Sequence, residues 1–249
     1  MFVVLRINRA PQHTEYLCCK RFGHLLRCPI FVVGVKAMSK VHSLLQESIT
    51  EMPTTPKTEQ KSKQIKSKSR VRDRGEVFTS EREVNNILAL TQATSNRYWR
   101  FLEPACGNGN FLEAILRQRL DHLKQDHIEW HPKNREFSVL KVLSTIYGVD
   151  IATDNIAECK KRMRDVIFDY LPKKTSQEFL LAMQKIMDTN LIVGDMLNGT
   201  DKIFFTEYST PAKGLFKRRV YALTDMELGI ESIIKEYPTV SYKELAHGE

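Results

Sequence analysis

Apolar positions in the central part of the chain form a helical repeat followed by a short continuous run. Between residues 80 and 91 they recur at helical spacing, at Val84, Ile87, Leu88 and Leu90. Ser80 precedes them and Glu83 stands at the capping-box distance from it, so the pattern predicts a helix that begins near residue 80. The short apolar run RFLEP then ends at Pro104 and predicts a strand, since proline does not continue a helix.

A turn of small residues and another helix follow this strand. Residues 105–109, ACGNG, predict a tight turn. Helical spacing returns after it, with Phe111, Leu112, Ile115, Leu116 and Leu120. A strand, a glycine turn and a helix form the first unit of a doubly wound sheet, whose ligands bind at the carboxyl ends of the strands. We therefore expect Gly107 and Gly109 to let a ligand approach backbone N–H groups, and Glu103 to accept a positive or hydroxyl-bearing part of it.

Two more strands are predicted, and each leads to an acidic residue. IYGVDI ends near Asp150, where a carboxylate can accept both hydroxyls of a ribose, and NLIVGDML leads to Asp195. A helix over NIAECKKRMRDVIFDYL lies between them. Because the carboxyl ends of parallel strands share one edge of a sheet, the glycine turn and the two acids predict one pocket. The alternative is a turn that only joins strand to helix.

The spacing of this pocket argues against a dinucleotide site. Such a site needs a third glycine in the turn, and its acid follows the glycines by about 20 residues. Here the turn reads GNGNF, and Gly107 and Asp150 are 43 positions apart. We therefore expect an insertion at residues 121–143, consisting of a prolonged first helix, a break at Pro132 and a second short helix.

The C-terminal part continues the pattern for a short distance. KIFFTEY, residues 202–208, predicts a fourth strand, and LFKRRVYALTDM, residues 215–226, predicts another. ELGIESIIKEY, residues 227–237, has helical spacing.

Charge is distributed unevenly along the chain, whose net charge is +8. Residues 1–74 hold 15 Lys and Arg against 5 Asp and Glu, whereas residues 75–249 hold 23 against 25. The stretch from 53 to 74 has few apolar residues and predicts a disordered basic linker. Such a linker can bind a polyanion such as DNA, and a solubilising tail without a partner is the alternative. The basic residues expected to contact phosphate are Lys57, Lys61, Lys63, Lys66, Lys68, Arg70, Arg72 and Arg74.

The first 37 residues predict neither a secretion signal nor a membrane anchor. Their apolar runs are too short for a signal peptide, and the chain has no apolar window of about 18 residues. Five cysteines without paired spacing indicate reduced thiols, and hence a cytoplasmic protein. MSKVHSLLQESI predicts a short amphipathic helix, and we expect translation to begin at Met38. The expected divisions are a dispensable leader at 1–37, the helix and linker at 38–72, and a folded domain at 73–249.

Four segments resemble, in this order, the adenine-specific DNA methyltransferases of restriction-modification systems. They are RGEVFTSEREVNNIL, FLEPACGNGNFLEAIL, IYGVDI and IVGDML, and the resemblance covers about residues 72–212. It implies an α/β, Rossmann-like S-adenosylmethionine-dependent methyltransferase fold with an incomplete C-terminal part. It also implies that Asp150 holds the ribose of S-adenosylmethionine and Asp195 its adenine ring, under a cover of Phe78 and Thr79. The implied cofactor-binding residues are Phe78, Thr79, Glu103, Pro104, Ala105, Cys106, Gly107, Gly109, Phe111, Asp150, Ile151, Asp195 and Met196.

The catalytic motif of this family is incomplete here. The family uses Asp, Asn or Ser followed by Pro-Pro and an aromatic residue to hold a flipped adenine. The corresponding segment reads STPA, so Ser209 and Pro211 are the implied catalytic residues, while Ala212 cannot stack on a base. The aromatic residues that could substitute for the missing ring are Phe204, Phe205, Tyr208 and Phe216.

The resemblance implies methyl transfer to the exocyclic amine of adenine in DNA. A full enzyme of this type has more strands and a target-recognition domain, so a partner protein is expected to supply recognition of the DNA sequence. The alternative is a catalytically silent cofactor-binding subunit or regulator of a restriction or defence system. A protein or RNA methyltransferase would share the cofactor motifs, but the RGEVFT segment favours DNA.

Three other groups of residues are weighed against simpler roles. His122, His127 and His131 have spacings that could suit zinc, but they fall on polar surface of the insertion, and we expect no metal. Cys106 at a helix start could be a nucleophile, but a small residue of the pocket wall is the favoured role. KGLFKRR, residues 213–219, could contact phosphate, whereas a solvated turn is the simpler interpretation.

Overall fold

The computed structural model describes residues 5–7, 30–32, 65–74, 76–91, 96–171, 174–224, 233–245 and 247. The helix predicted at residues 38–49, the expected start at Met38 and most of the predicted leader and linker lie outside these residues. Within the described ranges, no helix is long and apolar enough to cross a membrane.

Six helices and nine strands make up the described fold. The helices are α1 (Lys68–Arg74), α2 (Glu81–Thr91), α3 (Asn110–Lys124), α4 (Arg135–Leu143), α5 (Thr153–Tyr170) and α6 (Gln177–Asn190). The strands are β1 (Leu5–Ile7), β2 (Ile30–Val32), β3 (Arg100–Glu103), β4 (Ile146–Asp150), β5 (Leu191–Val193), β6 (Phe204–Ser209), β7 (Leu215–Ala222), β8 (Lys235–Glu236) and β9 (Val240–Ser241).

The fold is mixed α/β and is organised around a five-stranded sheet in the order β2-β1-β3-β4-β5. Strands β3, β4 and β5 are parallel, and helices connect them along the chain. Strand β1 pairs antiparallel with β3. The three parallel strands and the helices between them are therefore confirmed, and so is the insertion, which forms the end of α3, a break and the short helix α4.

The two faces of the parallel strands pack against different apolar clusters, because successive side chains of a strand point to opposite faces. Phe101 and Ile146 belong to the large apolar core that the helices build. Leu102, Tyr147 and Val149 belong to a second cluster with residues of and beside β6 and β7. The Tyr147 and Phe205 rings meet edge to face at 5.8 Å, and the Tyr147 hydroxyl donates to the Thr206 carbonyl at 3.0 Å. Ile203, Phe205 and Leu223 of the β6–β7 region thus cover this second face, while Tyr208 and Phe216 of the same hairpin reach the helical core.

Strand β6 does not join the parallel sheet, which differs from the expectation of a fourth strand there. It pairs antiparallel with β7, after a turn in which Gly214 has a φ of 81°. Ile203 Cγ1 lies 3.0 Å from the position that a Cβ would take on Gly194, near the carboxyl end of β5. Towards the other end of β6, Glu207 forms an ion pair of 2.6 Å with Arg100, the first residue of β3. Strand β6 therefore begins near the carboxyl end of β5 and ends near the start of β3, against the direction of the parallel strands, and its backbone hydrogen bonds are made with β7.

The end of the chain also differs from the prediction. The strand predicted at residues 215–226 is confirmed over Leu215–Ala222 as β7. Of the helix predicted at residues 227–237, the part up to 232 lies outside the described residues, and in the described part Lys235 and Glu236 form the strand β8. Strand β8 pairs with β7, and Glu236 accepts from Arg219 at 2.5 Å across the two strands. These cross-strand contacts outweigh the helical spacing of the local sequence.

Helix α1 forms inside the segment that the composition predicts to be disordered. Lys66 and Arg70 have ion-pair partners on α5, at positions more than 80 residues further along the chain. Composition alone does not reveal such distant partners, and they account for the order of residues 65–74.

Candidate functional site

The carboxyl ends of β3, β4 and β5 form one edge of the sheet. Glu103 pairs with Gly148, and Asp150 pairs with Val193. The Gly194 N–H donates to the Asp150 carbonyl at 3.0 Å, which carries the alignment one residue past β5. The structure thus brings Glu103, Asp150 and the segment that contains Asp195 to the same edge.

Glu103 is the most unusual polar residue of this edge. Its side chain is buried, at 1% exposure, and neither carboxylate oxygen has a hydrogen-bond partner among the described residues. Burial raises the pKa of Glu103 to about 8, because a charged carboxylate is poorly solvated there. The Ala105 backbone N–H lies near enough to lower this pKa in part, although it does not meet the geometry of a hydrogen bond. At neutral pH the group is mainly a neutral acid, which would give up its proton to a cation placed beside it.

The glycine turn is closely packed against the rest of the protein. Gly107 and Gly109 have φ values of 53° and 90°, a left-handed conformation that glycine adopts without strain. A Cβ on Gly109 would lie 2.6 Å from the Cys159 sulfur, and one on Gly107 would lie 3.1 Å from the Phe78 ring. These glycines therefore allow the turn to touch α5 and Phe78.

The backbone N–H groups of both glycines are used inside the protein, unlike our expectation that a ligand would bind them. The Gly107 N–H donates to Asp150 Oδ2 at 2.9 Å, and the Gly109 N–H donates to the Cys106 carbonyl at 2.9 Å. The turn is consequently held in place by β4 before any ligand arrives.

Asp150 connects the turn to the start of α5. Its Oδ1 accepts from the Ala152 N–H at 2.8 Å and from the Asn155 side chain at 3.1 Å. Its Oδ2 accepts the Gly107 N–H alone within the described residues. A carboxylate oxygen can accept two hydrogen bonds, so Oδ2 retains capacity for a ligand hydroxyl.

Asp195 stabilises its own turn. Its carboxylate accepts the N–H of Leu197 at 2.8 Å and that of Asn198 at 3.1 Å. These backbone hydrogen bonds hold the pKa of Asp195 below its usual value. The neighbouring Met196 packs against the second apolar cluster, whereas Ile151, directly after β4, is 60% exposed.

Phe78 and Thr79, which the resemblance implies as a cover over the cofactor, lie beside the glycine turn. Besides the contact of Phe78 with Gly107, the Thr79 carbonyl accepts from the Asn110 side chain at 2.8 Å. The remaining implied residues differ in exposure: Ala105 is exposed, Pro104 is half-buried, and Phe111 is buried in the helical core.

A buried residue that sequence reasoning missed links these parts. The Asn155 side chain is 1% exposed and donates to both Asp150 and Glu76, at 3.1 Å each. It also accepts from Lys66 Nζ at 2.9 Å. A single Asn in the first turn of a helix carries no recognisable signal, and only the distant contacts reveal its role.

Cys106 lies in the wall of the site and does not have the properties of a nucleophile. Its hydrogen-bonding contact with Cys159, followed by burial, raises the pKa of the Cys106 thiol well above its ordinary value. A reactive cysteine needs a lowered pKa. The chemistry of the site supports the role of a small wall residue.

Ser209 and Pro211 are not brought to the edge that holds Asp150. Ser209 ends β6, beyond Glu207 and Tyr208, which contact Arg100 at the opposite end of β3. The Ser209 hydroxyl donates to the Lys217 carbonyl at 3.4 Å, and Pro211 is exposed. The implied position of the catalytic motif depended on a fourth parallel strand, and β6 runs the other way.

The four aromatic residues that could replace the missing ring differ in exposure. Phe205, Tyr208 and Phe216 are buried and cannot stack on a base. Phe204 is 47% exposed and begins β6, next to the contact between Ile203 and Gly194. It is therefore the one member of this set that lies near the carboxyl edge and is open to solvent.

The other predicted groups are located as follows. His122, His127 and His131 are exposed, and the described residues contain no group of three or more His, Cys, Asp or Glu that could hold a metal ion. Lys217 and Arg219 of the KGLFKRR segment form ion pairs with Glu236 at 2.7 and 2.5 Å. A polar cleft that the sequence did not suggest lies apart from the edge, near the end of α3, and is lined by Asn96, Arg97, Tyr98, His122, Gln125 and Asp126.

Comparisons with protein-family models, with curated proteins and with solved structures found no match. The residues of the edge and the resemblance of their motifs therefore carry the functional proposal below.

Proposed function

We propose that this chain binds S-adenosylmethionine at the carboxyl ends of β3, β4 and β5, as a Rossmann-like methyltransferase domain. The observation that carries the proposal is the buried carboxyl group of Glu103, which has no hydrogen-bond partner in the described part of the chain. A buried polar group without a partner costs stability, so a ligand that donates to it gains affinity. The α-amino group of the cofactor is such a donor.

The other residues of the edge fit the rest of this cofactor. Asp150 Oδ2 has remaining acceptor capacity for a ribose hydroxyl, and the hydrogen bonds from Gly107, Ala152 and Asn155 hold the carboxylate in place. The exposed side chain of Ile151 offers apolar surface for the adenine ring. When bound, the cofactor supplies an activated methyl group on its sulfonium sulfur.

On the same resemblance we assign the chain to adenine-specific DNA methylation linked to restriction-modification. The family activity needs an aromatic ring and a polar acceptor beside the methyl group. In this chain Ser209 and Pro211 lie towards the opposite end of β3, and Phe204 is the aromatic candidate near the carboxyl edge.

This arrangement favours the second candidate for the isolated chain, a catalytically silent cofactor-binding subunit. Its protein partner would then supply target recognition and the missing catalytic groups. The specific observation behind this candidate is the reversed direction of β6.

An assay with tritiated S-adenosylmethionine tests both candidates. The purified chain is incubated with the labelled cofactor and mixed-sequence DNA, alone and with cell extract, and label is measured on the protein and in DNA. We expect label to be retained by the protein and to enter DNA only with extract. Transfer without extract that is lost in Phe204→Ala and kept in Ser209→Ala would instead support an active enzyme. Absence of retained cofactor would overturn the proposal.

A further inference from the structure

The segment before the GEVFT motif carries a contact that the proposed function does not use. Residues 65–74 contain Lys66, Lys68, Arg70, Arg72 and Arg74 against one acid, Asp73. Lys66 and Arg70 form ion pairs with acidic residues of α5, and Arg70 also pairs with Glu76. We call residues 65–74 the basic strap.

The ion pairs of the basic strap are numerous and short. Lys66 Nζ lies 2.7 Å from Glu158 and 3.1 Å from Asp154. Arg70 lies 2.6 Å from Asp154 and 2.6 Å from Glu76. The Arg70 guanidinium holds the pKa of Asp154 well below its usual range, so this carboxylate is charged at neutral pH.

The same cations lie next to the candidate cofactor site. Lys66 Nζ is 5.8 Å from the centre of the Phe78 ring, which covers Gly107. Asn155 accepts from Lys66 and Arg70 while it donates to Asp150. Nucleic acid bound by the basic strap would therefore lie beside the edge where methyl transfer is proposed.

The two acidic partners on α5 are more exposed than the cations that they hold, whereas Glu76, at 11%, is less exposed than Arg70. The side chains of Asp154 and Glu158 are 53% and 38% exposed, against 27% for Lys66 and 21% for Arg70. Ion pairs with exposed members are weak, and a phosphate group can take the place of such a carboxylate.

We infer that the basic strap is a DNA-binding surface held in an autoinhibitory contact by Asp154 and Glu158. Duplex phosphate competes with these two carboxylates for Lys66 and Arg70. The inference rests on the proposed function, since DNA is the polyanion that this function requires. It also reduces the phosphate contacts expected from the isolated chain, because Lys66 and Arg70 are already paired.

The test measures duplex binding by the full chain when the two carboxylates are neutralised. A fluorescein-labelled 20-base-pair DNA of mixed sequence is titrated with Asp154→Asn/Glu158→Gln at several salt concentrations. The matched control is Asp165→Asn/Asp169→Asn, which makes the same charge change on the same helix. Asp165 and Asp169 pair with Lys161 and Arg117 and not with the basic strap.

The competing carboxylates should weaken DNA binding and flatten its salt dependence. We expect the Asp154→Asn/Glu158→Gln variant to bind DNA about three- to tenfold more tightly than the control. Its slope of log K against log salt should be steeper by about 1 to 2, since each added phosphate contact contributes about 0.9. Adding Lys66→Gln and Arg70→Gln to this variant should abolish the gain.

Three results would overturn the inference. They are equal affinity and slope in variant and control, a gain that persists without Lys66 and Arg70, and binding of duplex RNA but not DNA. Cofactor retention is measured separately on the same proteins. A chain that retains the cofactor but shows no gain in DNA binding disproves only the autoinhibitory contact, whereas a chain that fails to retain the cofactor disproves the proposed function.

Discussion

Glu103 gives the site a pH dependence that can be predicted at the scale of one residue. Its pKa is about 8 in the folded protein, above the value of about 4.3 for an unperturbed Glu, so the folded state holds a proton that the unfolded state releases. This contribution to stability is fully present below about pH 4 and is lost as pH rises through 8. The free energy of unfolding should fall by up to about 1.4 kcal/mol per pH unit between pH 5 and 8.

Chemical denaturation of Glu103→Gln should show that this dependence has disappeared, since glutamine does not titrate. Glu81→Gln, at an exposed position in the first turn of α2, is the control and should keep the wild-type profile. Equal pH profiles for Glu103→Gln and wild type would contradict the description of Glu103 as a buried acid without a partner.

The turn residues make a second prediction at this scale. In Gly109→Ala the new Cβ would meet the Cys159 sulfur at 2.6 Å, at a φ of 90°. Gly214→Ala is the matched control, because its φ is 81° but nothing lies within 4 Å of the new atom. Backbone strain costs each variant about 1–2 kcal/mol, and overpacking costs Gly109→Ala a further 1–3 kcal/mol.

Thermal unfolding should therefore rank Gly109→Ala below Gly214→Ala. Adding Cys159→Ala should remove part of the extra loss, since it deletes the sulfur that the new Cβ meets. Equal melting temperatures for the two glycine variants would show that the turn is not packed against α5 as described.

At the scale of elements, the hairpin of β6 and β7 is the part that sequence pattern described least well. Its hydrophobic spacing predicted two strands correctly, because period-two spacing is local information. Its direction depends on the turn at Gly214 and on packing against Tyr147, which are contacts between distant residues. For the same reason the consequence for Ser209 and Pro211 was missed.

The packing of this hairpin on the sheet can be tested through Tyr147. Tyr147→Phe removes the buried hydrogen bond to the Thr206 carbonyl and should cost about 1–2 kcal/mol in urea denaturation. Tyr170→Phe, whose hydroxyl meets the exposed Asp121, should cost under about 0.5 kcal/mol. A Tyr147→Phe variant as stable as the control would argue against the hairpin's position.

At the scale of the whole molecule, structure set by neighbouring residues could be predicted from the sequence, whereas contacts between residues far apart in the chain could not. The parallel strands, their helices and the acids that follow them could be predicted from spacing and turn residues. The ion pairs of Lys66 and Arg70 with α5, and the hydrogen bond of Asn155 to Glu76, could not, because they join residues more than 75 positions apart. The edge is therefore built from local sequence pattern together with contacts between distant residues.

Calorimetric titration with S-adenosylmethionine tests the central claim most directly. We expect one molecule to bind per chain with release of the Glu103 proton, and Glu103→Gln, which cannot become a charged partner of the amino group, to bind at least about tenfold more weakly. The free energy of unfolding, measured on the same proteins, separates this loss from a loss of folded protein, and Asp165→Asn should bind like wild type. Unchanged affinity in Glu103→Gln, or binding of NAD in place of S-adenosylmethionine, would contradict the account.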